Sequence, residues 1–569
     1  MQPSYRKLDT TDQSIKYQLA KTLAVSSLAS TVLLSFAALF YTTSRSHHAS
    51  EALSHYKAFQ CSLPPKLMLP MSEDETYTPP DPDPSLRKIL TFVRPEDHDI
   101  YCEQFKQLGD AETATNLYDH HIKKECGNWQ AKYTRLQNRR AQQLEQLKNG
   151  DLDERNYEDR PRFIAYICAN LGQYHRSACG GLADRMMGMV STFFTALISD
   201  RAYYAYWEPH NPFELETAFE APNINWTYDI DTMRGIYDNS SVMTSHRILD
   251  TMNLKYPMLN SLVFPDGPDT NLTDLWPESV GVDLIAPASG DKAISTLIES
   301  KSNRGFILNT FRQSSVYPKY LYSMGLNEEN IFGCITDYLF RPTIGSRRFI
   351  DAYRYLLRLD SVLSIGIQIR TGDSNIVDPE TSIDTTSLST YDYFFKCARQ
   401  VGESRRQAHH TKVVYFLVTD SAALRDQAVS LNDNPVLSRQ YLGDKNSKVL
   451  VTGLPIEHIE RGQVSHAYTR HQNLTEEEKL SIEHQISHNE QIAGVNSAII
   501  ENYILSSTTY RVITKMGFGK MAAFNSRVNG TTYALPVLDK YNLGDVVPDC
   551  TDPDAIESFD SLSLMWSLG

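Results

Sequence analysis

The chain has 569 residues, 41% of them hydrophobic and 22% charged, with a formal net charge of −14 and a sequence pI of about 5.6. That length exceeds what one core usually holds, so two or three domains are expected. The acidic balance, with no basic run, disfavours a polyanion partner and so nucleic acid. Arg139-Arg140 and Arg405-Arg406 are isolated pairs that read as solvated helix faces.

Residues 22–42, TLAVSSLASTVLLSFAALFYT, carry no charge. At 1.5 Å per residue such a helix spans a bilayer core of roughly 30 Å. Arg6, Lys7, Lys16 and Lys21 precede it and Arg45 follows closely. The positive-inside rule then predicts a cytosolic N-terminus and a lumenal remainder. A cleavable signal peptide is the rival reading, but its apolar region is usually shorter, roughly 7–15 residues. Residues 43–100 are polar, with seven prolines between positions 64 and 84, and read as an extended linker. Residues 103–150 are charged and helix-permissive and end at Gly150, the pattern of a stalk helix.

From there the pattern becomes that of a parallel α/β sheet. FIAYICA (163–169) is a strand. A loop with Cys179-Gly180-Gly181 follows, then LADRMMGMVSTFFTALISD with one apolar helical face, then the strand AYYAYW (202–207). RGFILN (304–309) is a further strand candidate, and a helix is expected at about 344–359. The pattern then repeats. SVLSIGIQIR (361–370), VVYFLVT (413–419) and KVLVT (448–452) read as strands. A helix is expected from about Ser421, with Arg425 on its solvated side. Next come a helix at 493–507, the strand TYRVIT (509–514) and a helix opened by Gly517-Phe518-Gly519. Two halves that divide near residue 340 give a GT-B-like architecture, with ligands in the crevice at the carboxyl ends of the strands.

Three constellations fall at those ends. A site that holds a diphosphate without metal needs an arginine fork and backbone N–H groups at helix N-termini. Gln368-Ile369-Arg370-Thr371-Gly372-Asp373 puts Gln368 and Arg370 on one face of a strand tip. Taken alone, Arg370 could equally cap the sheet through an ion pair with Asp373. Thr514 to Lys520 offers a strand end and glycines, and Cys179 to Arg185 a Gly-rich loop at a helix start, where Asp184 could also be a simple helix cap. Asp229-Ile230-Asp231 and Asp552-Pro553-Asp554 spell DxD, but neither follows a convincing strand, so no metal site is expected. Eight cysteines, all beyond residue 60 and without a CxxC pair, suggest disulfides of undetermined connectivity, Cys168 and Cys179 being the closest pair in sequence. Five N-x-S/T sequons (Asn225, Asn239, Asn271, Asn473, Asn529) permit glycosylation in a lumenal protein.

Taken in order, GGLADRMMGMVSTFFTALISDRAYYAYW, GCITDYLFRPT (333–343), SIGIQIRTGD (364–373), VVYFLVTDSAALRDQA (413–428) and ENYILSSTTYRVITKMGFGKMAAF (501–524) resemble the α1,2/α1,6 and protein O-fucosyltransferase superfamily. Within it the pattern is most like the plant xyloglucan-type cell-wall fucosyltransferases. The resemblance implies a metal-independent, inverting GT-B enzyme that uses GDP-fucose and needs no cofactor. It implies that Gln368, Arg370, Asp373, Thr419, Asp420, Thr514, Gly517, Phe518, Gly519, Gly181, Asp184 and Arg185 bind the donor. Asp184 stands where many relatives carry Asn, and Lys515-Met516 replaces a small or aromatic pair. Arg370 would stabilise the leaving diphosphate, and Asp378, shortly after the QIR strand, is the candidate base. The organisation expected is a cytosolic tail (1–21), a signal anchor (22–42), stem and stalk helix (43–155), an acceptor-side half (156–340), a GDP-sugar-binding half (341–540) and a C-terminal tail (541–569). That describes a type II Golgi membrane protein acting on a glycan or glycoprotein acceptor, with a homo-oligomer left open. Use of another nucleotide sugar, and an inactive glycan-binding protein on the same fold, are the alternatives.

Overall fold

A computed structural model describes residues 77–107, 125–151, 161–169, 179–207, 214–239, 246–250, 297–303, 307–313, 317–372, 384–456, 488–537 and 547–564. The apolar span at 22–42 lies outside them. Among the described residues no helix is long and apolar enough to cross a membrane.

The stretch 43–100, expected as an extended linker, is partly folded. Helix α1 (Pro84–Leu90) lies within it and α2 (Pro95–Gln107) begins in it, α1 started by the Asp83 carboxylate, which accepts the Ser85 N–H at 2.7 Å. Leu86, Ile89, Leu90 and Val93 are buried, an i, i+3, i+4, i+7 stripe that proline content had obscured. Ser85 Oγ donates to the Val451 carbonyl at 3.4 Å, which docks α1 on the C-terminal half. Helix α3 (Gln130–Asn149) is the expected stalk helix and ends at Gly150 in the left-handed region, φ 73°. It is not a free stalk. Gln137 donates to the Tyr203 carbonyl and accepts its N–H, each at 2.9 Å, so α3 seals an edge strand of the N-terminal half. The Arg139-Arg140 pair divides: Arg139 is exposed, whereas Arg140 is buried on the Gln143 side-chain oxygen at 2.8 Å. Arg406 likewise is committed, to the His410 carbonyl and the Asp444 carboxylate, each at 2.9 Å.

The N-terminal half holds β1 (Phe163–Cys168), α4 (Leu182–Ile198), β2 (Ala202–Trp207), β3 (Phe219–Glu220), α5 (Ile230–Asn239), β4 (His246–Asp250) and β5 (Leu297–Lys301). Its parallel sheet runs β2-β1-β5-β4. Helices α6 (Ile307–Gln313), α7 (Tyr317–Ser323) and α8 (Ile331–Leu339) follow. The strand expected at RGFILN is therefore helical from Ile307, and the strand lies earlier, at Leu297–Lys301. Periodicity cannot separate a short buried strand from a buried helix, which is the reason for that misreading.

After β6 (Arg341–Pro342), which pairs antiparallel with β3, the C-terminal half begins. It comprises α9 (Ile344–Leu357), β7 (Val362–Ile369), α10 (Asp392–Arg405), β8 (Lys412–Thr419), α11 (Ala422–Ser430), α12 (Pro435–Leu442), β9 (Ser447–Leu450), α13 (His488–Ser506), β10 (Tyr510–Thr514), α14 (Gly517–Ser526), β11 (Thr532–Leu535) and α15 (Phe559–Leu564). Its parallel sheet runs β11-β10-β7-β8-β9. Every residue of β7 is buried, as a central strand covered on both faces requires. Ile365, Ile367 and Val401 belong to one core with Phe394 and Leu417.

Three disulfides brace the frame: Cys126–Cys334, Cys168–Cys179 and Cys397–Cys550. Cys102 is also disulfide-bonded, and no described cysteine is free. Cys168–Cys179 joins the end of β1 to the loop that starts α4, an anchor for the chain beside the crevice.

Candidate active site

β7 and β8 run parallel in register from Val362↔Lys412 to Ile369↔Thr419, so both chains leave the sheet side by side, at Arg370 and Asp420. Arg370 pairs there with Asp420, its Nη1 donating to Oδ2 at 2.8 Å. Asp420 also accepts the Thr371 N–H at 2.7 Å and the Gly372 N–H at 3.2 Å. One carboxylate thus fixes both the arginine and the turn after it. Gly372 has φ 129°, which a side chain would resist, so the turn needs glycine. Asp373 and Asp378 lie outside the described residues.

Gln368 ties β7 to β10. Its side-chain oxygen accepts the Thr514 hydroxyl at 2.7 Å and the Thr514 N–H at 3.3 Å. A Cβ on Gly519 would come within 2.7 Å of that same oxygen and of the Ile513 Cβ, so α14 can approach the strand tips only with glycine there. Thr514 and Gly519 are therefore supporting residues behind the surface, whereas Gly517 and Phe518 line it.

Across the crevice, Gly180 has φ 85° and Gly181 begins α4. Gly181, Leu182, Ala183 and Asp184 line the same cavity of about 320 Å³ as Gln368, Arg370, Thr419, Asp420, Gly517 and Phe518. The three sequence constellations thus converge. Neither α4 nor α14 has a side-chain hydrogen bond from its N-cap residue; the first turn of α4 carries the Asp184 carboxylate, whereas that of α14 carries no acid and presents backbone N–H groups and the positive end of a dipole there. Arg185 behaves otherwise than expected for a donor contact. It is fully buried, its Nε donates to the Gly180 carbonyl at 2.9 Å, and its guanidinium lies 4.7 Å from the Trp207 ring centre. It holds the loop from beneath.

The rest of the wall was not legible as a site. Pro455, Ile456, Val495, Ala498, Met516 and Phe518 form an apolar surface, with Glu501 of α13 among them. Burial pushes the Glu501 carboxyl up to about 7, against the Thr452 hydroxyl that hydrogen-bonds it and the nearby charge of Arg425. Arg425 is consequently not a solvated bystander. It also donates to the Leu454 carbonyl at 2.7 Å, holding the segment that leads to Pro455. A single acid inside the apolar run SAIIENYILSS was the available signal. Lys520 of α14 is buried as well, which pushes its ammonium down to about 8.

Both DxD spellings serve as caps. Asp229 accepts the Thr232 N–H at 3.0 Å at the start of α5, and Asp552 accepts the Asp554 N–H at 3.0 Å. Among the described residues no cluster of His, Cys, Asp and Glu could hold a metal.

The fold and the site define a mixed α/β protein with two parallel sheets and, between its halves, a crevice that joins an arginine, two helix N-termini and a partly buried carboxylate. No family model matches the chain, and no curated protein matches it. Among solved structures, a mutant of Arabidopsis thaliana FUT1 in complex with GDP is similar at 12% identity and TM-score 0.44, over 72% of this chain and 79% of that one. NodZ α-1,6-fucosyltransferase soaked with GDP-fucose is similar at 14% identity and TM-score 0.32, over 64% of this chain and 92% of that one. Fucosyltransferase NodZ from Bradyrhizobium gives 13% identity and TM-score 0.31, over 63% and 92%. Likeness at this level leaves the functional argument to the residues of this chain.

Proposed function

We propose that the chain is a GT-B-like glycosyltransferase that moves fucose from GDP-fucose to a hydroxyl of a glycan acceptor, with inversion and without a metal. The observation that carries this reading is that one cavity joins two chemistries. Arg370 and the N–H groups that begin α14 suit a diphosphate. The apolar residues around Glu501 suit a nucleobase. Guanine presents N1–H and its exocyclic amine side by side, a donor pair that a carboxylate accepts with both oxygens. Adenine and uracil lack that pair. The base therefore selects GDP, and the sequence resemblance supplies fucose as the sugar.

In the transfer, the C1–O bond to the diphosphate breaks while the acceptor oxygen attacks the opposite face of C1. Negative charge grows on the leaving phosphate, where Arg370 and the helix N-termini stabilise it. Asp420 keeps Arg370 aimed. The acceptor proton goes to a carboxylate. Asp378 is the sequence candidate, and Asp184 is the carboxylate that the N-terminal half contributes to the cavity wall.

The test is a panel of GDP- and UDP-sugars incubated with the purified chain and a glycan mixture, with and without EDTA, reading released nucleotide. GDP release from GDP-fucose, unchanged by EDTA, is expected. Turnover of UDP-sugars alone, or activity lost with EDTA and restored by manganese, would sink the proposal.

We further propose a Golgi membrane protein of type II. The apolar span at 22–42 with its preceding Lys and Arg supports this, as do the disulfides, which persist in oxidising compartments. Protease added to sealed microsomes should leave the chain beyond residue 45 intact; digestion of that part would reverse the topology.

A further inference from the structure

Strand β9 is an edge of the C-terminal sheet, and beyond Leu450 the chain leaves the ladder. Backbone groups buried past that point need partners from elsewhere. Val451 is buried and finds them in the segment that precedes both halves. Its N–H donates to Ser85 Oγ at 3.3 Å, and its carbonyl accepts from Ser85 Oγ at 3.4 Å and from the Tyr353 hydroxyl at 3.1 Å. The Tyr353 oxygen accepts the Asp83 N–H at 3.3 Å. Asp83 also lies against Gly453, where φ is 72° and a Cβ would stand 3.2 Å from the Asp83 Cβ. Ser85 and Tyr353 are themselves buried, so these bonds are not open to exchange with bulk water.

The stretch 451–454 is what brings Thr452 to Glu501. The Thr452 hydroxyl donates to the Glu501 carboxylate and accepts the Leu454 N–H at 3.3 Å. Arg425 of α11 holds the Leu454 carbonyl at 2.7 Å. Thr452 is therefore fixed from both sides, by α11 at Leu454 and by the start of α1 at Val451.

We propose that Asp83, Ser85 and Tyr353 are positioning residues for guanine recognition: they fix Val451, through it the Thr452 hydroxyl, and through that the Glu501 carboxylate. This role rests on Glu501 being the guanine contact proposed above. The membrane-proximal part of the chain is then a component of the nucleotide site and not a spacer. A hydroxyl that donates to a carboxylate favours the anion, which here opposes the effect of burial on Glu501. The other charges that bear on Glu501 are Arg425, which also favours the anion, and those that line the same cavity: Arg370, Asp420 and Asp184. Tyr353 of α9 is near as well and stays neutral, because burial raises its hydroxyl. None of these charges changes in the variants below, so a shifted titration of GDP binding reports the Thr452 bond.

The experiment measures GDP affinity of the purified full chain between about pH 5 and 9. The variants are Ser85→Ala, Tyr353→Phe, Thr452→Val, Thr452→Ser and Glu501→Gln, each first shown to be folded. Thr452→Val should weaken GDP at neutral pH by about tenfold and move the midpoint of the pH dependence up by about one unit. Thr452→Ser should restore both. Ser85→Ala and Tyr353→Phe should produce the same pair of changes in smaller measure, roughly two- to fivefold in affinity, and should add nothing further in a Thr452→Val background. Lower thermal stability with an unmoved midpoint, or losses that add to that of Thr452→Val, would overturn the positioning role. So would full GDP affinity in Ser85→Ala and Tyr353→Phe while Glu501→Gln binds weakly, a result that leaves the guanine reading standing. GDP binding untouched by Glu501→Gln would strike both.

Discussion

Arg370→Ala should lose donor turnover and GDP binding together, by about 2–5 kcal/mol or roughly 30- to several-thousand-fold. The reason lies in what surrounds the guanidinium. Its Nη1 is held by Asp420, the same carboxylate that orders Thr371 and Gly372, so the fork is aimed before any ligand arrives. Removing it leaves Asp420 uncompensated beside a diphosphate, and the repulsion adds to the lost attraction. Arg370→Lys should recover little, because a point charge cannot pair with Asp420 and reach two phosphate oxygens in one plane. Asp420→Asn should fall between parent and Arg370→Ala, since the arginine remains but loses its anchor. Arg425 is unsuitable as the silent control, given its bond to Leu454 and its proximity to Glu501. Arg439, exposed on α12, serves instead, and Arg439→Ala should match the parent. The measurements are GDP affinity and GDP release on variants shown to be folded; near-normal values in Arg370→Ala would move the diphosphate elsewhere.

Glu501→Gln should weaken GDP by roughly 10- to 150-fold, an energy of about 1.5–3 kcal/mol for a hydrogen bond to a charged group. The amide keeps one acceptor and turns the other into a donor facing a donor. Discrimination between GDP and ADP should shrink by the same factor, because only guanine presents the matching pair. A pH dependence follows. Burial holds the Glu501 carboxyl at about 7, and the ionised form is the one that accepts from guanine. GDP affinity should therefore rise as pH climbs through 7, and Glu501→Gln should flatten that rise. Stability runs the other way. An ordinary glutamate titrates at 4.5, so between there and 7 the folded chain keeps a proton that the unfolded chain has released. Free-chain stability should fall across that window as pH rises. A GDP affinity that is independent of both pH and Glu501 would remove guanine recognition from this wall.

The strands of both halves were readable because buried parallel strands are short apolar runs between loops, and β7, β8 and β10 begin and end within a residue or two of the sequence reading. Arg370, Gly517 and Phe518 at the strand tips line one cavity for the same reason: polar and glycine residues that end such a run are where a crevice forms. The failures came from what a linear pattern omits. The resemblance implies a donor-binding role for Arg185, but its direction depends on Trp207, more than twenty positions away. Asp420 looked like a contact and is the brace of Arg370, a relation visible only once β7 and β8 are paired. Glu501 was invisible because its meaning comes from Thr452, Pro455 and Phe518, brought to it from two other segments. Helix α1 was lost in a proline-rich context although its apolar spacing was present.

The most direct test of the account is a crystal structure of the chain with GDP. The diphosphate is expected within about 2.7–3.2 Å of the Arg370 guanidinium and of backbone N–H groups at 517–518, with the guanine edge on the Glu501 carboxylate. GDP bound outside this cavity, or seated in it with the base against Arg370 and the phosphates against Glu501, would contradict it.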